Sequence, residues 1–471
     1  MYKEYKQLNL SEIGKEVLKR WETDDIFAKS ISNRPASKPY TFYEGPPSAN
    51  GMPGIHHVMA RTIKDIFCRY KTLKGYQVKR KGGWDTHGLP IELAVEKTLG
   101  ITKEDIGKKI SVKDYNVACR KEVMKYTDVW NDLTQKMGYW VDLEHPYITY
   151  QNEYIETLWF LLKDLYKKGL LYKGYTIQPY SPAAGTGLSS HELNQPGTYK
   201  DVKDTTIVAE FRLDKQQIHP MMDRLVENQD EDVAFLAWTT TPWTLPGNSA
   251  LTVGKNIDYV KVKTFNQYTG TAVSVILAKN LIAKHFKADG QQVSFQDYKF
   301  GDKVIPWEIV EEFKGAEIEG LRYHQLMPYV TSEELREKAF RVILGDFVTT
   351  EDGTGIVHTS PTYGADDFRV ARENGIPSIM VLDENGKEVP TVDKTGKFVK
   401  EITDFAGRFV KEEYYSNEER AEKDFRPTDV LIAIKLKEEN KAFDVKKYEH
   451  TYPHCWRTDK PVLYYPLDSW F

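Results

Sequence analysis

The segment Gly45-Pro-Pro-Ser-Ala-Asn-Gly-Met-Pro-Gly-Ile-His-His57 gathers residue types that can hold an anion. Its glycines and prolines fix a tight turn, and His56 and His57 fall where a helix should begin. Free backbone N–H groups and the positive end of the helix dipole suit a phosphate at such a point. Imidazoles there can add hydrogen bonds to charge that develops as a phosphate is transferred. The same histidines could equally be solvent-facing residues at a helix start. A second glycine-flanked segment, Gly82-Gly-Trp-Asp-Thr-His-Gly-Leu-Pro90, presents Asp85. Its carboxylate could pair with a substrate ammonium or cap the following helix. Further on, Thr239-Thr-Thr-Pro-Trp-Thr244 clusters hydroxyls ahead of Asn248, and Gly353-Thr-Gly-Ile-Val-His358 precedes Gly364-Ala-Asp-Asp367. Threonine runs are ordinarily β-strand, and the acids could be a solvated turn. The two segments could also line one polar pocket.

These residues need elements to position them. Ile13, Val17, Leu18 and Trp21 at helical spacing predict an amphipathic arm over 10–32. A strand is expected over 40–44, and then, beyond the first loop, a helix over 56–74. That helix has Ile63, Ile66, Phe67 and Tyr70 on one face and Gly75 at its end. A strand over 76–81, the second loop and a helix over 91–99 follow. Strand, glycine-rich loop and helix, twice over, is the rhythm of a doubly wound parallel sheet, where ligands sit beyond the carboxyl ends of the strands. Ile155, Leu158, Trp159, Leu162 and Leu165 predict a further helix over 153–168. From about residue 201 short β-rich runs (205–213, 233–240, 259–264, 274–278) predict a separate, mostly β domain inserted into the α/β one. A helix over 429–440 and a strand-like run over 461–465 lead back. The expected division is 1–200, 201–415 and 416–471.

With 471 residues, 40% hydrophobic and 28% charged, the chain reads as a globular protein of two or three domains. A net charge of −4 gives no general nucleic-acid signal, so a nucleic-acid partner would be held by local basic patches. Cys68, Cys119 and Cys455 have no C-x-x-C spacing, which argues against a structural zinc or a disulfide framework and fits a reducing cytoplasm. No signal peptide and no apolar run of membrane-spanning length is present.

Gly45-Pro-Pro-Ser-Ala-Asn-Gly51, Ile63-Lys-Asp65 and Gly83-Trp-Asp-Thr-His-Gly-Leu-Pro-Ile-Glu92 resemble, in order, the class I isoleucyl-tRNA synthetases. Trp238-Thr-Thr-Thr-Pro-Trp-Thr-Leu-Pro246, Gly353-Thr-Gly-Ile-Val-His-Thr359 and Tyr452-Pro-His-Cys-Trp-Arg457 extend the resemblance through nearly the whole chain. Valine enzymes usually have a different second loop, and leucine enzymes usually place Phe where His87 stands, so this loop favours isoleucine. The closest rival is a valyl-tRNA synthetase; a rival of another class is a non-activating tRNA-editing hydrolase, which would not need His57 or Asp85.

The resemblance implies a Rossmann-like catalytic domain interrupted by a mostly β editing domain. It implies ATP with Mg2+ and isoleucine as substrates, tRNA(Ile) as partner, and a monomer without membrane or protein-bound metal. The family's H-x-G-H signature falls on Gly54-Ile-His-His57 with its first and third positions exchanged, so His56 is the candidate to supply the missing imidazole beside His57. The family's roles carry over as ATP binding by Gly54, His56 and His57, and as an isoleucine pocket of Pro46, Asp85 and Trp470. A pocket of that kind separates isoleucine from valine, the standard example of this limit, by only about 1–3 kcal/mol. Hydrolytic editing is therefore expected. Its implied residues are Thr239, Thr240 and Thr241 with Asn248, then His358 against the terminal ribose and Asp367 on the aminoacyl ammonium. The second class I signature, K-M-S-K-S, does not occur, nor does an anticodon-binding bundle. An incomplete N-terminal portion of a longer enzyme is expected.

Overall fold

The helical arm breaks where two aspartates meet. Asn9 accepts the Glu12 N–H and starts α1 (Leu10–Thr23), which stops at Asp24; Asp25 adopts φ 49° before α2 (Ile26–Ser32). The computed structural model describes residues 4, 6–42 and 44–471, and the chain divides into two units, Met1–Tyr172 and Lys173–Phe471. Among the described residues no helix is long and apolar enough to cross a membrane.

The first unit is α/β. After the first glycine-rich loop comes α3 (Ile55–Leu73), followed by Gly75 at φ +82°. Then come β1 (Lys81–Trp84), α4 (Leu89–Leu99), α5 (Val112–Val123), α6 (Thr127–Lys136), β2 (Asp142–Ile148) and α7 (Asn152–Lys167). β1 and β2 are parallel. Of the strand expected over 40–44, Tyr43 lies outside the described residues; the pairing made nearby is one bridge, Pro39 with Gln77. The second strand also begins later than expected, inside the glycines rather than before them. A Cβ on Gly82 would stand 2.9 Å from the Asp142 carbonyl oxygen, so β2 can approach only where side chains are absent.

The expected inward face of α3 points outward. Ile63, Ile66, Phe67 and Tyr70 are each more than half exposed, while Arg61, Cys68 and Thr72 are buried. Polar bonding explains the reversal. Arg61 donates to Thr134 Oγ1 at 2.6 Å, Arg80 donates to Thr72 Oγ1 at 2.7 Å, and Asp65 accepts from Arg69 at 2.5 Å. The apolar stripe on α7 is outward as well, with Leu158, Trp159 and Leu165 exposed.

The second unit contains β3 (Lys173–Ser181), β4 (Thr186–Gly187), β5 (Tyr199–Arg212), β6 (Val233–Thr239), β7 (Ala250–Val253), β8 (Asp258–Phe265) and β9 (Ala272–Ala278). It continues with β10 (Glu308–Lys314), β11 (Arg341–Leu344), β12 (Ile356–Thr359), the hairpin β13 (Met380–Leu382) and β14 (Glu388–Pro390), β15 (Ala442–Pro453) and β16 (Leu463–Trp470). Nine of these form one mixed sheet in the order β10-β8-β9-β6-β12-β7-β11, with β5 on β6 and β15 on β5. β6 is nearly all buried because it separates two cores. Val233, Phe235 and Ala237 join one cluster and Ala234 and Leu236 the other, the period-two alternation of a strand buried on both faces. β5 and β15 form a long antiparallel ribbon from Tyr199–Pro453 to Ala209–Ala442, and β16 pairs with β3.

Gly83 gives a direct test of the first unit. A Cβ there would lie 2.3 Å from the Tyr147 ring, its partner across the β1–β2 ladder. Gly83→Ala should therefore destabilise the first unit by about 1–3 kcal/mol in urea unfolding, and Tyr147→Ala in the same chain should recover much of that loss. A Gly83→Ala chain with unchanged stability would remove the close approach from the account.

Candidate functional site

The two glycine-rich loops of the first unit meet. The Asp85 N–H donates to the Pro47 carbonyl at 3.0 Å, Tyr126 N–H to Ala49 at 2.9 Å, and the Trp130 indole to Gly51 at 2.8 Å. They enclose a cavity of about 470 Å³ whose wall includes Pro46, His57, Arg61, Lys64 and Asp85. His57, Arg61 and Lys64 recur at i, i+4 and i+7 on α3 and so share one face.

His57 Nδ1 accepts the Gly54 N–H at 2.9 Å. Burial first, then the neighbouring His56 and Arg61, push its pKa down. The ring is therefore neutral with its proton on Nε2, a donor on the cavity side of the helix N-terminus. Its ring stands edge-on to Trp130 at 4.7 Å. The His56 ring is 3.8 Å from that of His57 and folds back over Gly54, where a Cβ would meet it at 2.9 Å. The exchanged order thus returns an imidazole to the neighbourhood of position 54 from position 56.

The cavity wall carries two carboxylates with different fates. Glu44 is bonded by Lys64 at 2.9 Å and by the Tyr139 hydroxyl. Asp85 is exposed, and its hydrogen bond among the described residues is a 3.4 Å contact from the His87 N–H. It does not cap α4, whose N-cap is Gly88. The helix-cap alternative is absent here, and the Asp85 carboxylate is open to a cation. Pro46 shares this cavity; Trp470 stands in the second unit, on β16 opposite Lys173.

In the second unit, the threonine segment ends β6 and enters a buried 3-10 turn, Pro242–Gly247. Thr239 Oγ1 accepts the Thr241 N–H at 3.0 Å and lies 3.3 Å from Thr241 Oγ1; Thr240 sits half-buried between them. Asn248 and His358 are buried and adjacent. One chain of donors fits every distance: Tyr323 O–H to Asn248 Oδ1 (2.7 Å), Asn248 Nδ2 to His358 Nδ1 (3.2 Å), His358 Nε2 to Thr244 Oγ1 (2.9 Å), and Thr244 O–H to the Thr241 carbonyl (2.8 Å). Burial lowers the His358 pKa to about 4, so the ring is neutral, as this chain requires. Both its nitrogens are engaged by Thr244 and Asn248, so neither ring nitrogen is open in this arrangement.

Asp367 lies in the first turn of the helix Ala365–Glu373, folded back over Gly364, with Oδ2 accepting the Ser360 N–H at 2.8 Å. Ser360 Oγ in turn donates to the Gly247 carbonyl at 3.0 Å, linking the acid to the end of the threonine turn. Burial raises the Asp367 pKa to about 7, opposed by the Ser360 N–H. The neighbouring Asp366 is exposed, 3.6 Å from Arg369. Sequence reasoning missed Arg61, Lys64 and Trp130 in the first unit and Thr244, Tyr323 and Ser360 in the second. The polar stripe on α3 was a readable signal for Lys64, and Thr244 sat inside the quoted cluster; Tyr323 had none. Among the described residues no group of three His, Cys, Asp or Glu could hold a metal.

Residues 16–471 match the family of class I tRNA synthetases (I, L, M and V), and the chain belongs to it. It is 62% identical over 473 residues to the isoleucine–tRNA ligase of Cytophaga hutchinsonii, which covers 99% of this chain and 41% of that protein. It is 58% identical over 507 residues to the isoleucine–tRNA ligase of Bacteroides thetaiotaomicron, covering 100% of this chain and 42% of that one. The chain thus spans about two fifths of the length of these curated relatives. Among solved structures, the P. knowlesi cytosolic leucyl-tRNA synthetase editing domain aligns at 16% identity and a TM-score of 0.30, over 54% of this chain and 99% of that one.

Asp367 has a pH signature. It is protonated in the folded chain up to about pH 7, but in the unfolded chain it releases its proton near the ordinary 3.8. Folding therefore takes up a proton between those values, and stability falls as pH rises from about 4 to 7. Asp367→Asn stays neutral and should escape this loss. Its melting temperature relative to the parent should rise from pH 4.5 to pH 8; a difference that stays constant would contradict the buried acid.

Proposed function

We propose that the chain is part of an enzyme that activates isoleucine with ATP, as its Mg2+ complex, and transfers it to tRNA(Ile). The same enzyme would clear valine from the mischarged tRNA. The observation that carries the first half is the cavity between the two loops. It holds an uncommitted carboxylate, Asp85, together with a neutral imidazole donor, His57, at the N-terminus of α3. An α-ammonium fits the first and a phosphate the second. His56, folded over Gly54, is the candidate to share the phosphate side, while Lys64 on the same helix face is engaged by Glu44. Pro46 would border the isoleucine side chain. Family membership, the similarity to isoleucine–tRNA ligases over 99% of this chain and the free cysteines support a cytoplasmic enzyme, which we take to be a monomer.

The editing half rests on the second unit. Thr239, Thr240 and Thr241 lie near the end of a strand, with Asn248 and His358 bracing the turn that follows them. Asp367 is the ammonium anchor in this reading. An arriving aminoacyl ammonium would draw its raised pKa down and leave the carboxylate charged. Water would be oriented by the threonine hydroxyls and the substrate's own ribose.

Two variants test the two halves. In the complete enzyme, Asp85→Ala should raise the KM for isoleucine in ATP–pyrophosphate exchange by roughly ten- to a hundred-fold, the cost of losing a charge-assisted contact. An unchanged KM would strip Asp85 of its part. Asp367→Ala should remove most hydrolysis of valyl-tRNA(Ile) while leaving exchange intact; full hydrolysis by that variant would sink the anchor assignment.

A further inference from the structure

The 3-10 turn that follows the central threonines begins with Pro242, which has no N–H, so the first donor it must satisfy is the N–H of Trp243. Trp243 is 2% exposed and out of reach of water. The next donor, Thr244 N–H, is met locally by the Thr241 carbonyl at 3.0 Å. Trp243 is not met locally. Its N–H donates to Asp429 Oδ1 at 2.9 Å, across 186 residues of sequence, from the first turn of the helix Thr428–Glu438.

Asp429 is itself buried, and burial pushes its pKa up to about 7, opposed by the charge of Lys411, 4% exposed, and by the Trp243 N–H. The Lys411 ammonium lies 2.9 Å from Asp204 on β5 and 4.1 Å over the Tyr452 ring on β15, and His450 on β15 approaches the same Asp204 oxygen to 3.2 Å. The threonine turn is therefore tied by one carboxylate to the helix Thr428–Glu438, and that carboxylate lines the same small cavity as Lys411 and Asp204. Breaking one side of such a buried arrangement leaves an unpaired group.

The position of the tie matters. Asp429 grips Trp243, which lies between Thr241 and Thr244. Thr241 has φ −129° and ψ 72°, neither strand nor helix, and the ring of Pro242 transmits any movement of Trp243 to it. Thr244 holds both the Thr241 carbonyl and His358. A loosened Trp243 would release the hydroxyls on either side of it, and displacements near 1 Å in such sites cost on the order of a hundred-fold in rate.

We propose that Asp429 is a positioning residue for the hydrolytic site: it fixes the turn between Thr241 and Thr244 through the Trp243 N–H. The proposal rests on the hydrolytic reading of the threonine segment.

The test is deacylation of valyl-tRNA(Ile) by the full chain, comparing the parent with Asp429→Ala, Asp429→Asn and Asp367→Ala. Hydrogen exchange of the segment 239–248 is followed in parallel. Asp429→Ala should lower kcat roughly ten-fold or more, leave KM within about two-fold, and speed exchange in that segment. Asp429→Asn keeps an acceptor oxygen at the same reach and should recover most of kcat and of the protection, which a bulk loss of stability would not do. If alanine does not fold, Asp429→Ser takes its place, since its oxygen is too short to reach Trp243. Parent-level kcat in the alanine or serine variant overturns the proposal, as does a loss confined to KM or an asparagine variant no better than alanine. If Asp367→Ala deacylates as fast as the parent, the hydrolytic reading itself fails and takes this inference with it. A dead Asp367→Ala beside a fully active Asp429→Ala refutes the positioning role alone.

Discussion

A buried polar group without a partner costs about 1–3 kcal/mol, and the second unit buries many at one place. Asn248, His358, Thr244 and Tyr323 all lie inside it, and each can satisfy the others only in a single donor order. That order demands a neutral histidine, and burial supplies one by lowering its pKa. The threonine turn, β12 and the segment around Tyr323 are thereby held to one arrangement. Apolar packing on the two faces of β6 encloses this chain, but does not choose its geometry.

The first unit meets a similar demand with charge. α3 turns its arginines, Asp65 and Thr72 toward the chain and its isoleucines and Phe67 away. What results is a cavity bordered by a helix N-terminus, two cations and one open carboxylate, with Glu44 already neutralised by Lys64 and Tyr139. Glu44 and Asp85 are thus unequal: the first is bonded twice, the second is open. A carboxylate already bonded by an ammonium and a phenol has little left to offer a second cation.

The two sites share a device. In each, a glycine removes a side chain so that a polar group can fold back over the backbone: His56 over Gly54, Asp367 over Gly364. The imidazole and the carboxylate then stand beside helix N-termini. At Asp367 the helix dipole and the Ser360 N–H favour the charged form while burial opposes it, and burial prevails.

Much of this was legible in the residues alone. The glycine-rich loops, the helix after the first of them, the mostly β character from about residue 201 and the helix near 429–440 follow from local turn chemistry and periodicity, which neighbours in sequence determine. The place of Asp85 in the second glycine-rich loop was readable for the same reason, whereas the helix that carries Asp367 was not foreseen. Other features depended on partners far away in the chain. The apolar stripe of α3 looked like a core face, and only its bonds to Thr134 and Arg80 turned it outward. His358 read as a group for a ligand until Asn248 and Thr244, more than 100 residues away, occupied both of its nitrogens. Sequence by itself determined which residue types lie at each loop and strand end, because backbone conformation there is a local matter. Tertiary structure alone decided which of those side chains stay open to a substrate, because a hydrogen-bonding group is free only when no distant partner has taken it.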